Sequence, residues 1–351
     1  MKKQFIAAAV AAAFAAPAMA QVTVYGVIDQ AIGSQDDGRA AGAANSASTT
    51  TNFTNLLATN RIGLRATEDL GGGLKASFVI EGGLANGGAA NWSRATFVEL
   101  DGPFGKVQLG WADLGTTNID DAVSQAGNLG AMMTSVDGAA VTNATGNADG
   151  LGNDNANGIV YTSPNFSGLT VEVGYKGPHL IATGAASKVK AANTAEAQTG
   201  VRIDYRSGPV VFAYGVTNGK STGNADDRSL KSIGASYNAG FASFGYSQVV
   251  AQPNEADEHT FNLFSAAMPM GSGYSIHAAY QTAKANGDDE EASGYTLAAT
   301  KAFSKRTTGY VAYSSLDNKG ANAGYGMRGT GAPAAAGNDP AAWAFGVRHT
   351  F

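Results

Sequence analysis

From Gln21 onward, apolar and polar residues alternate with a period of two rather than 3.6. In 60–67, Ile62, Leu64 and Ala66 oppose Arg61, Arg65 and Thr67; in 74–81, Leu74, Ala76, Phe78 and Ile80 oppose Lys75, Ser77 and Glu81. Further on, Val171, Val173 and Tyr175 oppose Glu172 and Lys176, and Val201, Ile203 and Tyr205 oppose Arg202, Asp204 and Arg206. Successive side chains of a strand point to opposite faces, so each segment reads as a strand with one apolar and one polar face. About sixteen such strands can be counted: 21–33, 60–67, 74–84, 92–100, 105–112, 157–163, 168–176, 199–206, 209–217, 229–238, 241–249, 258–268, 273–283, 293–302, 307–316 and 343–351. A soluble sandwich would show the same local alternation.

The links between strands separate the two possibilities. Short turns rich in Gly, Pro, Asp, Asn and Ser (68–73, 101–104, 164–167, 207–208, 239–240, 269–272, 303–306) alternate with links that are mostly longer (34–59, 85–91, 113–156, 177–198, 218–228, 250–257, 284–292, 317–342). Short turns at one end and long loops at the other are the layout of an outer-membrane barrel, with the turns on the periplasmic side. An even strand count lets the first and last strands pair and removes the sheet edges that a bilayer does not tolerate. About sixteen strands enclose an aqueous channel rather than a packed interior. The expected fold is all-β: a transmembrane antiparallel barrel in one domain over 21–351.

Composition bears on export and partners. Lys2 and Lys3, an apolar stretch from Phe5 to Ala16 and the small-residue site Ala18-Met19-Ala20 form a signal peptide over 1–20, expected to be cleaved after Ala20. Its removal takes the formal charge from −5 to −7, since two of the 23 Lys and Arg leave while all 28 Asp and Glu stay. An acidic chain without a basic run gives no reason to expect nucleic acid, and its total charge leans toward cations as permeants. With no cysteine there is neither a disulfide nor a thiolate metal site, and no metal or cofactor is expected. Four histidines (His179, His259, His277, His349) form no grouping with a hydroxyl and a third orienting residue, so an enzyme is not the expectation. The segment 147–154 has neither the spacing nor the repeat of a calcium loop.

Six segments in order resemble the trimeric general diffusion porins of Gram-negative bacteria. They are Val22–Asp29, Arg61–Phe78, Phe104–Gly110, Tyr161–Gly168, Phe303–Thr307 and the terminal Phe345–Phe351. The resemblance implies a water-filled channel for passive diffusion of ions and small hydrophilic solutes, embedded in outer-membrane lipid as a homotrimer. It also implies a third loop, here 113–156, folded into the lumen, with acidic groups facing basic residues on the wall. The matching acids are Asp113, Asp120 and Asp121, joined by Glu81; the matching basic wall is Arg61, Arg65 and Lys75. Trp111 and Ala156 stand where the family often has arginine, so the basic group looks thinned. A terminal aromatic, here Phe351, resembles the signal read by the outer-membrane assembly machinery. Tyr25, Phe104, Phe166, Phe241 and Phe303, near strand ends, would form the interfacial aromatic girdles. Alternatives are a substrate-specific channel for sugars or carboxylates, and a structural barrel or adhesin without an open pore.

Overall fold

A computed structural model describes residues 21–36, 38, 48–84, 91–112, 119, 123–125, 156–177, 197–220, 227–252, 258–285, 291–319 and 337–351. They form one sheet of 17 strands. In chain order these are β1 (Thr23–Asp36), β2 (Ser48–Thr54), β3 (Arg61–Gly71), β4 (Leu74–Gly83), β5 (Asn91–Gly102) and β6 (Gly105–Ala112). Then follow β7 (Ala156–Thr162), β8 (Leu169–Lys176), β9 (Gln198–Ser207), β10 (Val210–Lys220), β11 (Asp227–Asn238) and β12 (Ser243–Gln252). The last are β13 (His259–Gly271), β14 (Tyr274–Ala285), β15 (Glu291–Ala302), β16 (Thr307–Lys319) and β17 (Ala341–Thr350).

Every neighbouring pair is antiparallel, and β1 pairs with β17 from Val27↔Thr350 to Asp36↔Ala341, which closes the sheet. The wall nevertheless has sixteen positions, because β2 and β3 share one. Thr23–Val27 of β1 pair with Arg65–Arg61 of β3, while Gln30–Asp36 pair with Thr54–Ser48 of β2. The stretch expected as one long link over 34–59 therefore contains a further strand. Six residues, Asn55–Asn60, stand opposite only Ile28 and Asp29 of β1.

Alternation sorts the outer face from the inner. On β1, Ile28 and Ile32 are 44% and 52% exposed while Asp29 and Ala31 between them are buried. The same reading holds on β17, where Trp343, Phe345 and Val347 point out and Ala342 and Ala344 point in. A closed sheet that exposes leucine, valine and aromatics all round its outer wall satisfies its backbone internally and matches a bilayer. Phe104, Phe166, Phe241 and Phe303 stand at the short-turn end, exposed on the outside, as expected of a girdle. Tyr25 does not join them. It lies on the inward face of β1, with its hydroxyl hydrogen-bonded to Glu81.

The inner wall is not uniformly polar, which departs from the expectation of one polar face on each strand. Across β13 to β17 and β1 it carries Leu263, Ala279, Ala298, Tyr310, Ala312, Ala342, Ala344 and Ala31, all buried in one cluster with Phe53 and Leu56. The physical reason is that this sector packs against chain rather than water. Charged inward side chains concentrate instead on β3 to β9.

Candidate functional site

The inner wall of β3, β4 and β5 brings two arginines onto one glutamate and a third over the tyrosine bonded to it. Cross-strand register puts Gly63 beside Glu81 and Arg65 beside Val79 on the same face as Tyr25. Gly63 is required there: a Cβ at this position would come within 2.4 Å of the Tyr25 ring. The ring fills the space, its hydroxyl donates to Glu81 Oε2 at 2.9 Å, and the Arg65 guanidinium lies over its face at 5.1 Å. Arg94 Nε donates to Glu81 Oε1 at 2.8 Å, and Arg61 Nε stands 3.7 Å from Oε2. Arg65 has no carboxylate partner among the described residues and is exposed to the lumen. Among the described residues, two guanidiniums thus share the Glu81 carboxylate and a third lies over the adjoining Tyr25 ring, so that this group presents more positive than negative charge to the channel.

Arg61 and Arg65 were legible from alternation, and the wall brings them together as expected. Lys75 belongs to the same inner face but lies six residues from Glu81 along β4, roughly 20 Å at strand rise. It pairs in register with Asp101 beside the short turns, away from the arginine group. Glu81, expected on the acidic side, instead sits inside the basic group as its counter-ion, because the register places it between Gly63 and Ala95. Arg94 escaped the sequence reading. The β4–β5 register shifts between Glu81 and Gly83, and this bulge turns Arg94 inward although simple alternation with Val98 and Leu100 assigns it to the outside. Trp111 shares the outward face with Leu109, so this position is no gap in an inner arginine row.

The long segment after β6 enters the barrel. Ile119 and Val123, one helical turn apart, are 0% and 1% exposed and lie against Gly234 on the inner face of β11. A Cβ on Gly234 would meet both of them under 3.0 Å, and one on Gly245 of β12 would meet the Val123 carbonyl. Glycine at these two wall positions is what admits the loop. Gln125 fastens it further along: its amide donates to Ser265 Oγ at 2.9 Å, and its carbonyl lies 3.2 Å from His277 Nδ1. The other ring nitrogen of His277 is 3.2 Å from Thr300 Oγ1. Both nitrogens are thus engaged in anchoring. Asp113, Asp120 and Asp121 lie outside the described residues.

A closed barrel, a loop threaded into its lumen and a charged group on the opposite wall describe a channel. The profile of the Gram-negative porin family matches residues 7–321. The chain belongs to the Gram-negative porin family. Outer membrane porin protein 32 of Delftia acidovorans is 32% identical to this porin over 369 residues, covering 100% of both chains. Among solved structures, the anion-selective porin from Comamonas acidovorans matches with a TM-score of 0.76 and 27% identity, over 95% of this chain and 100% of that one. OmpT of Vibrio cholerae, solved in a trimer form, matches at a TM-score of 0.64 over 94% and 99%, and at 16% identity this likeness concerns the fold alone. The porin is an outer-membrane channel through which ions and small hydrophilic solutes diffuse passively. Its selectivity is a matter of width and of the charges lining the narrowest part.

Proposed function

We propose that this porin prefers anions, and that Arg61, Arg65 and Arg94 form the basic wall of its constriction. The observation that carries the reading is that Arg61 and Arg94 share the Glu81 carboxylate while Arg65 lies over the adjoining Tyr25 ring, three guanidiniums to one carboxylate in this group among the described residues. The total charge of the chain argues the other way. A permeating ion, however, responds mainly to charges within about a Debye length, near 8 Å at physiological salt, so the local group weighs more than the total charge. Asp113, Asp120 and Asp121 on the inward loop are the proposed opposing acids. Lys75 acts at the periplasmic mouth. The anion-selective porin of Comamonas acidovorans, similar over its whole length, supports the same direction.

The test is the reversal potential of purified protein in a planar bilayer under a salt gradient. We expect an anion-preferring sign, moved toward cations by Arg61→Ala with Arg65→Ala. A cation-preferring wild type, or no movement in the double variant, overturns the assignment.

We infer further that the mature chain begins at Gln21 and that three copies associate. The C-terminal strand would serve as the signal for outer-membrane assembly. Phe351 supports that role by its placement: its backbone exchanges hydrogen bonds of 3.0 and 3.1 Å with Gly26, and its ring lies over that glycine. Deleting Phe351 should leave unassembled chain in the periplasm, measured by fractionation. Normal outer-membrane yield would remove the residue from assembly.

A further inference from the structure

The interruption between β2 and β3 is an unusual way to build a wall strand. Six residues occupy the space of two, so the segment Asn55–Asn60 must leave the sheet, and it leaves on the inner side. Leu56 is 0% exposed in the cluster formed by inward side chains of β13 to β17 and β1, with Leu57 packed against it. The segment therefore leans across the lumenal surface of β1 toward β17 and β16.

Its shape is fixed by one carboxylate. Asp29, 0% exposed on the inner face of β1, accepts from the amides of Leu57 and Ala58 through Oδ2, the latter at 2.9 Å. Through Oδ1 it accepts from the Tyr310 hydroxyl at 2.6 Å. Its own amide donates to Asn60 Oδ1 at 2.5 Å, and the Asn60 amide donates to Asn55 Oδ1 at 2.6 Å. Asn55 adopts a left-handed backbone with φ of 64°, a conformation asparagine tolerates better than most residues. No cation pairs with Asp29 among the described residues; backbone amides and a phenol supply all the compensation a buried carboxylate requires. A plain strand would need none of this.

The segment also abuts the charged wall, since Asn60 is followed directly by Arg61. We propose that Asn55–Asn60 is a second constriction element, distinct from the inward loop after β6, and that Asp29 is the positioning residue that holds it in the lumen. It covers the apolar sector of the inner wall and confines water and solute to the side of the barrel where β3 to β9 present their charges. It also sets how far Arg61 reaches into the path.

The absence of cysteine permits a direct test in the full-length protein. Single-channel conductance and reversal potential are measured for Asp29→Asn, and for Thr59→Cys before and after an anionic methanethiosulfonate reagent. Asp29→Asn keeps the volume but places a donor against two amide donors, so the segment should loosen, conductance should rise and the reversal potential should move toward zero. Modified Thr59→Cys should conduct less than the unmodified variant. A folded Asp29→Asn with wild-type conductance and reversal potential overturns the proposal. So does a Thr59→Cys that resists the reagent, or that reacts, by mass, without any change in current. If Asp29→Asn does not fold, Thr59→Cys decides alone. Absence of conductance steps in the wild type would count against the channel itself, a separate outcome.

Discussion

The hydroxyl of Tyr310 donates a 2.6 Å hydrogen bond to the carboxylate of Asp29, although 281 positions separate the two residues in the chain. The bond spans the closure of the barrel, from β16 over β17 to β1. It can do so because Gly346 lies beneath the ring: a Cβ there would approach the Tyr310 side chain to 2.3 Å. Removing the hydroxyl with Tyr310→Phe leaves one carboxylate oxygen short of a partner and should cost about 1–2 kcal/mol of barrel stability. Gly346→Ala should weaken the same bond by displacing the ring. Denaturant-induced unfolding in detergent measures both, and an unchanged midpoint in both variants would detach the contact from closure.

Charge reversal of selectivity should also work in the opposite direction. Glu81→Gln removes the carboxylate that Arg61 and Arg94 share among the described residues. Anion preference should therefore increase, and more so at low ionic strength, where screening is weaker. Reversal potentials at two salt concentrations check this; a shift toward cations would mean that Glu81 matters mainly by holding the arginines in place.

Gly234→Val should evict the inward loop. The branched side chain would occupy the space of Ile119 and Val123 against β11. Because the wall itself is held by cross-strand hydrogen bonds on either side, strand content by circular dichroism should persist while the current becomes larger or noisier. A quiet channel of wild-type conductance would show that the loop takes its position from other contacts.

The two faces of the wall should respond differently to the same substitution. Leu297, 53% exposed on the outer face of β15, should lose about 2–4 kcal/mol of folding free energy as Leu297→Arg, because the cation must sit in hydrocarbon. Gln108→Arg on the inner face of β6 should fold into lipid vesicles at nearly wild-type yield. Equal yields for the two would contradict the assignment of faces.

Much of this architecture can be read from the chain because a strand exposed to lipid on one side and water on the other must alternate. Arg61, Arg65 and the outward Trp343, Phe345 and Val347 obey that rule, and each lies where alternation places it. The rule fails where its premise fails. Arg94 follows a bulge that shifts the pairing between Glu81 and Gly83, so parity counted from Val98 assigns it to the wrong side. Ala279, Ala298, Ala312 and Ala344 are inward yet apolar because other chain segments, not water, cover them. The most instructive case is Asp29, which looks in sequence like any polar residue of an opening strand. Its partners are amides at Leu57 and Ala58 and a phenol near the far end of the chain, and no local pattern announces contacts of that kind.

The apolar recess that receives Leu56 also imposes an order of events. Most of its floor is contributed by β13 to β17, strands made last, while the residues that fill it are made early. The early segment completes its contacts only when the end of the chain has arrived and supplies Tyr310, Ala312, Ala342 and Ala344. If Asn55–Asn60 narrows the channel as proposed, the bore reaches its working calibre only as these last contacts form.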